Sequence, residues 1–215
     1  MDKERTLESS VSTKYVHREG GEWYMRLDES SRGVKIPKDV ARAIVFAFQL
    51  QKRRQSESNM RTRRIYADIN CHKTALHAIG VIDSGYNPKD SYNISFFPSE
   101  QYVPYRSIEN LEEHLRTVGG KGTLLFVQCK MSPAPFAGPY HSFLAGLDEG
   151  GRFVCFEKVG ANLYPFRITS LSTIYKEYKE GWWAWGSVES IQNHPITQVM
   201  RKLKGSPPRD FKSKQ

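Results

Sequence analysis

The stretch YHSFLAGLDEGGRFVCFEKVG, residues 140–160, decides the fold class. Two apolar runs, 140–147 and 151–157, flank Asp148, Glu149 and Gly150. A three-residue loop ending in a left-handed glycine is a common hairpin connection, and Gly150 is placed for that role. This loop sets Leu147 opposite Gly151, so that cross-strand partners sum to 298 and His141 faces Glu157. Directly opposed residues share a sheet face, with β-carbons about 4.5–5.5 Å apart. The Glu157 carboxylate then takes one imidazole nitrogen and leaves the other for a nucleophile, the logic of a triad.

Outward from the hairpin the pattern stays β. Residues 123–129 (TLLFVQC) read as a buried strand, and 163–168 as a further strand. Residues 171–178 form a helix capped by Ser170 and ended by Gly181. Upstream the pattern is helical. Residues 36–53 carry Val40, Ile44, Ala47 and Phe48 on one face, with Pro37 in the first turn. Residues 108–118 follow Ser107 and stop at Gly119-Gly120. Strand character at Tyr15 and over 23–27 is weak. Helices followed by sequential strands give an α+β class, a helix-bearing layer on an antiparallel sheet.

The nucleophile comes from a short helix at 71–79, with Asn70 as its N-cap and Gly80 as the residue beyond its C-cap. Cys71 opens that helix. There the unpaired N–H groups and the helix dipole favour an anion, and cysteine pKa values fall. Cys71, His141 and Glu157 are therefore the candidate catalytic residues. Cys71 attacks a carbonyl carbon, His141 moves the proton, and Glu157 fixes the imidazole. The Cys71 backbone N–H supplies part of an oxyanion hole. Tyr66 and Asn70 are the candidates for a second donor, and Asn70 has the competing role of helix cap. The remaining histidines, His17, His72, His77, His114 and His194, read as structural. Cys129 lies in an apolar strand and reads as core, and Cys155 shares the face of His141. The run Trp182-Trp183-Ala184-Trp185 reads as core or sheet packing.

On YADINCHKTALHAIG (66–80), YHSFLAGL (140–147) and RFVCFEKVG (152–160), the sequence resembles the papain-like cysteine peptidase superfamily, nearest to NlpC-like peptidases and amidases. The order is that family's: Cys at a helix start, His at a strand start, a polar residue on the next strand. The resemblance spans roughly residues 65–180. It implies a thiol hydrolase with a peptide or amide substrate and no metal or organic cofactor. Acyl transfer and deamidation are chemically adjacent. His72-Lys73 stand where the NlpC-like pattern has Ser-Gly. Ile65 stands where papain has Gln, and Glu157 where the orienting residue is commonly His, Asn, Gln or Asp. A papain-like scaffold used only for binding is the inactive counterpart of this reading.

The 215 residues suit one domain with appendages, and 39% hydrophobic residues suffice for a core. The net charge of +9 is unevenly divided: +6 over 1–67, −2 over 68–200 and +5 over 201–215. Three segments follow. A basic arm and helix occupies 1–64, the catalytic domain 65–200, and a basic, Pro-containing tail, expected to be disordered, 201–215. The excess charge raises an alternative, a protein binding nucleic acid or another polyanion through its basic arms. No run reaches the roughly 18 apolar residues of a membrane span. The N-terminal MDKERTLESS is no secretory signal, and three scattered cysteines make no disulfide framework, so a cytoplasmic location is expected.

Overall fold

A computed structural model describes residues 14–56, 70–82, 94–120, 122–132, 134, 140–159 and 165–202. Its elements are two antiparallel sheets and the helices between and after their strands. Strands β1 (Val16–Glu19), β2 (Glu22–Met25) and β3 (Val34–Ile36) form a meander, followed by α1 (Lys38–Ser56) and α2 (Cys71–Ala78). After them come β4 (Val103–Pro104), α3 (Ile108–Val118), β5 (Leu124–Lys130), β6 (His141–Leu147) and β7 (Phe153–Lys158). The chain continues with β8 (Phe166–Ser170), α4 (Leu171–Glu177), β9 (Trp182–Ser187), α5 (Val188–Gln192) and α6 (Pro195–Lys202). The larger sheet has six strands in the order β4-β9-β5-β6-β7-β8, every described pair antiparallel. The protein is thus α+β, with helices packed on antiparallel sheets.

Strands β5, β6 and β7 are buried along their whole length, because both faces of the sheet are covered. Period-two alternation splits their side chains between two cores. Phe126, Leu144, Val154 and Phe156 join Met25, Val34, Ile44 and Leu76 on one face. Val127, Phe143, Ala145 and Cys155 join Leu111 and Leu115 of α3 and Leu171 and Ile174 of α4 on the other. Each fully buried Leu, Ile or Phe contributes about 1.5–3 kcal/mol relative to exposure. Gly146 of β6 is where the two sheets meet. A β-carbon there would collide with the Val34 side chain, so only glycine admits the close approach of β3.

Three expectations are corrected. The hairpin does not close on Gly150. The left-handed residue is Gly151, with φ 79°. Asp148 N–H donates to the Arg152 carbonyl at 2.9 Å, and Gly151 N–H to the Asp148 carbonyl at 3.1 Å. The loop is therefore longer, and Leu147 pairs with Phe153 rather than Gly151. His141 and Glu157 are not directly opposed. The offset is two residues, an even number, so both keep their expected face. Second, Ile36 belongs to β3, and Pro37 precedes α1, its carbonyl accepting from Ala41 N–H. Third, the boundary at 201 falls inside α6, which runs to Lys202. Residues 203–215 and 57–69, Tyr66 among them, lie outside the described residues.

Candidate active site

Asn70 sets the entry to α2. Its backbone is extended (φ −103°, ψ −179°), and its side-chain oxygen accepts from Lys73 N–H at 2.9 Å. Thr74 Oγ1 donates to the Asn70 carbonyl at 2.8 Å, tying the cap to the first turn. The cap role thus uses the Asn70 side-chain oxygen, and a hydrogen bond to an oxyanion would have to come from its Nδ2. Cys71 follows as the first helical residue, 4% exposed, in the half-turn where backbone N–H groups have no intrahelical partner. Its thiol lies 3.9 Å from the carbonyl of Tyr140, the residue before β6.

His141 opens β6 and is fully buried. Its ring stacks on Tyr178 at 4.6 Å between centroids and on Phe143 at 5.6 Å. Nε2 is hydrogen-bonded to Glu157 Oε2 of β7. Nδ1 is buried and makes no hydrogen bond, and the Cys71 thiol is the other group that acts on this ring. Pairing of β6 with β7 ends at Leu144 opposite Phe156. The imidazole and the carboxylate meet just past that point. Arg167 of β8 lies directly opposite Glu157, and its Nε donates to Glu157 Oε1. Its Nη2 donates to both oxygens of Glu177, at 2.8 and 2.9 Å. The result is a hydrogen-bonded line, His141, Glu157, Arg167 and Glu177, drawn from β6, β7, β8 and α4, with Cys71 of α2 acting on its His141 end.

The electrostatics follow from that line. Burial pushes the Cys71 thiol up, but His141 and His72 outweigh it and bring it down to about 5. Burial pushes His141 down, but Cys71 and Glu157 raise it to about 9. Burial also raises Glu157, yet His141 and Arg167 hold its carboxyl below the usual range. Each shift favours the charged form of its group, thiolate for Cys71 and imidazolium for His141. The other two cysteines show what this environment adds. Burial alone lifts Cys129 to about 12 and, with the nearby Glu157 and Glu112 charges, takes Cys155 well above its ordinary value. All three cysteines are free.

Two contributors escaped the sequence reading. Arg167 could have been found from strand alternation, since it falls opposite Glu157 across the next connection. His72 was read as structural because it points about 100° around the helix from Cys71. Instead it is buried against β6, with Nδ1 at 2.7 Å from Ser142 Oγ. No local signal marks that partner, 70 residues away. Of the remaining histidines, His114 contacts Tyr105 Oη and the Trp185 ring, and His194 the Phe96 ring. His17 packs on Tyr24 and His77 on Phe46. Among the described residues no group of three or more His, Cys, Asp and Glu is arranged to hold a metal ion, and no helix is long and apolar enough to cross a membrane. No protein-family model, curated protein or solved structure matches the chain.

Proposed function

We propose that this protein is a thiol hydrolase of papain-like, NlpC-like type, cleaving a peptide, amide or related acyl bond. The observation that carries the reading is the buried line from the Cys71 thiol through His141 to Glu157 and Arg167. The Cys71 thiolate attacks the carbonyl carbon, and the carbonyl π pair moves onto oxygen. The Cys71 backbone N–H, unpaired at the helix start, faces the developing oxyanion. The imidazolium of His141 gives its proton to the leaving nitrogen as the C–N bond breaks, leaving a thioester. Neutral His141 then takes a proton from water, whose oxygen attacks the thioester, and collapse returns the thiolate and imidazolium. Glu157 keeps Nε2–H engaged throughout, so Nδ1 is the nitrogen that shuttles the proton. Acyl transfer and deamidation share the first half of this scheme.

The test is covalent. A thiol-reactive acyl probe should label Cys71, and Cys71→Ala should abolish labelling while leaving the circular dichroism unchanged. Labelling that persists in that variant on Cys129 or Cys155 overturns the assignment.

A further inference from the structure

The buried polar chain behind His72 is not needed by a three-residue mechanism, yet every member is satisfied. It starts at Gln128 of β5, whose orientation is fixed by backbone on both sides. Phe96 N–H donates to Gln128 Oε1 at 2.9 Å, and Gln128 Nε2 donates to the Ile94 carbonyl at 2.9 Å. The amide cannot be flipped without losing both bonds. Its second Nε2 hydrogen therefore goes to Ser142 Oγ, at 3.2 Å. Ser142 thus receives one hydrogen and has its own to give. Its other partner is His72 Nδ1, at 2.7 Å. The hydroxyl donates there, so Nδ1 accepts and the ring N–H that remains is on Nε2. Tyr102 Oη, 3.2 Å from Gln128 Oε1 and 2.8 Å from Ser95 Oγ, closes the far end.

We propose that His72 is a positioning residue of the Cys71 site, donating Nε2–H to the sulfur from a tautomer that Gln128 and Ser142 impose. This deepens the thiol-hydrolase reading and rests on it. The two imidazoles then do different work. His141, backed by a carboxylate, moves protons. His72, backed by a hydroxyl and an amide, only donates, and so holds the thiolate without competing for its proton. Both histidines lower the Cys71 thiol, His141 ahead of His72. The titratable groups facing the sulfur are His72 from its own helix, His141 from β6 and Tyr178 beyond α4. Glu157 and Arg167 stand behind His141.

The experiment is the pH dependence of Cys71 alkylation by iodoacetamide, mapped to the Cys71 peptide by mass spectrometry. A shift of one unit in the thiol midpoint is tenfold in thiolate fraction below it. His72→Leu should move the midpoint upward by about one unit, and Ser142→Ala should move it in the same direction. His72→Gln, which keeps a donor near the Nε2 position, should restore most of the change. If His72→Leu does not fold, Ser142→Ala, which removes one hydroxyl, carries the test. Midpoints unchanged in His72→Leu and Ser142→Ala, beside a clear shift in His141→Ala, overturn the role of His72 and leave the hydrolase reading standing. An unchanged midpoint in His141→Ala removes the hydrolase reading and this inference with it.

Discussion

Three cysteines share one chain and one degree of burial, and only Cys71 is drawn towards the anion. Exposure does not separate them, since Cys71 is 4% exposed and Cys129 and Cys155 are fully buried. Proximity to cationic and donor groups does. The consequence for pH is direct. The thiolate forms as pH rises through about 5, and the imidazolium is lost as pH rises through about 9. Second-order labelling of Cys71 by the acyl probe should therefore rise on the acid limb near 5, and kcat/KM should fall again near 9. A single transition near the ordinary thiol value of about 8.5 would contradict the ion pair. Glu157 has its own pH signature. Its folded carboxyl sits below the unfolded value, so its stabilising contribution is present at neutral pH and is lost as pH falls through the folded value. Glu157→Gln should cost about 3 kcal/mol in urea unfolding at pH 7, because it leaves the buried His141 without its anion, while Arg167 keeps Glu177. The difference from wild type should shrink on acidification. At this scale Cys71 and His141 were legible from their positions at a helix start and a strand start. His72 was not, because its role is set by a hydroxyl and an amide on two distant strands.

Elements fix the site through register. The hairpin expected from 140–160 exists, but its loop is longer than the three residues expected, and Leu147 pairs with Phe153. The candidate site survives because the error was even, whereas an odd error would have put Glu157 in the opposite core. Loop length was illegible since both Gly150 and Gly151 can take the left-handed turn, and the Asp148 and Arg152 bonds choose between them. The helices capped at Asn70, Ser107 and Ser170 were legible, because capping is local chemistry. Strand β9 was not resolved as an element, as WWAW carries bulk on both faces and shows no alternation. It pairs with β5 in the middle of the sheet, and Trp183 is fully buried. The contact of β6 with β3 gives an element-scale test. Gly146→Ala should destabilise by about 1–3 kcal/mol through overpacking, and Val34→Ala should recover most of that loss. Additive losses in the double variant would show that the two strands do not meet there.

For the whole molecule, the net charge is +9, and several basic side chains of the described residues are paired with acids. Arg32 pairs with Glu19 at 3.0 Å and Lys35 with Glu22 at 2.9 Å, while Arg152 pairs with Asp148 at 3.0 Å. Such exposed pairs contribute little stability but do neutralise local charge. Residues 203–215 carry four Lys/Arg and one Asp, and screening confines their influence to about 8 Å at physiological salt. A chain ending at Lys202 should therefore keep the Cys71 alkylation rate within about twofold, and a larger change would tie that segment to the site. One core also runs from Val16 to Met200, across the stretch between α1 and α2. The charge line has a similar reach, since His141 lies 70 residues after Cys71 and Arg167 a further 26. During synthesis Cys71 emerges long before His141, Glu157 and Arg167 and is an ordinary thiol, with a value of about 8.5. Its full lowering is deferred until β6 has brought His141 to it. The chain thus carries its own timing: a nascent or partly unfolded copy holds the nucleophile but not the charges that arm it.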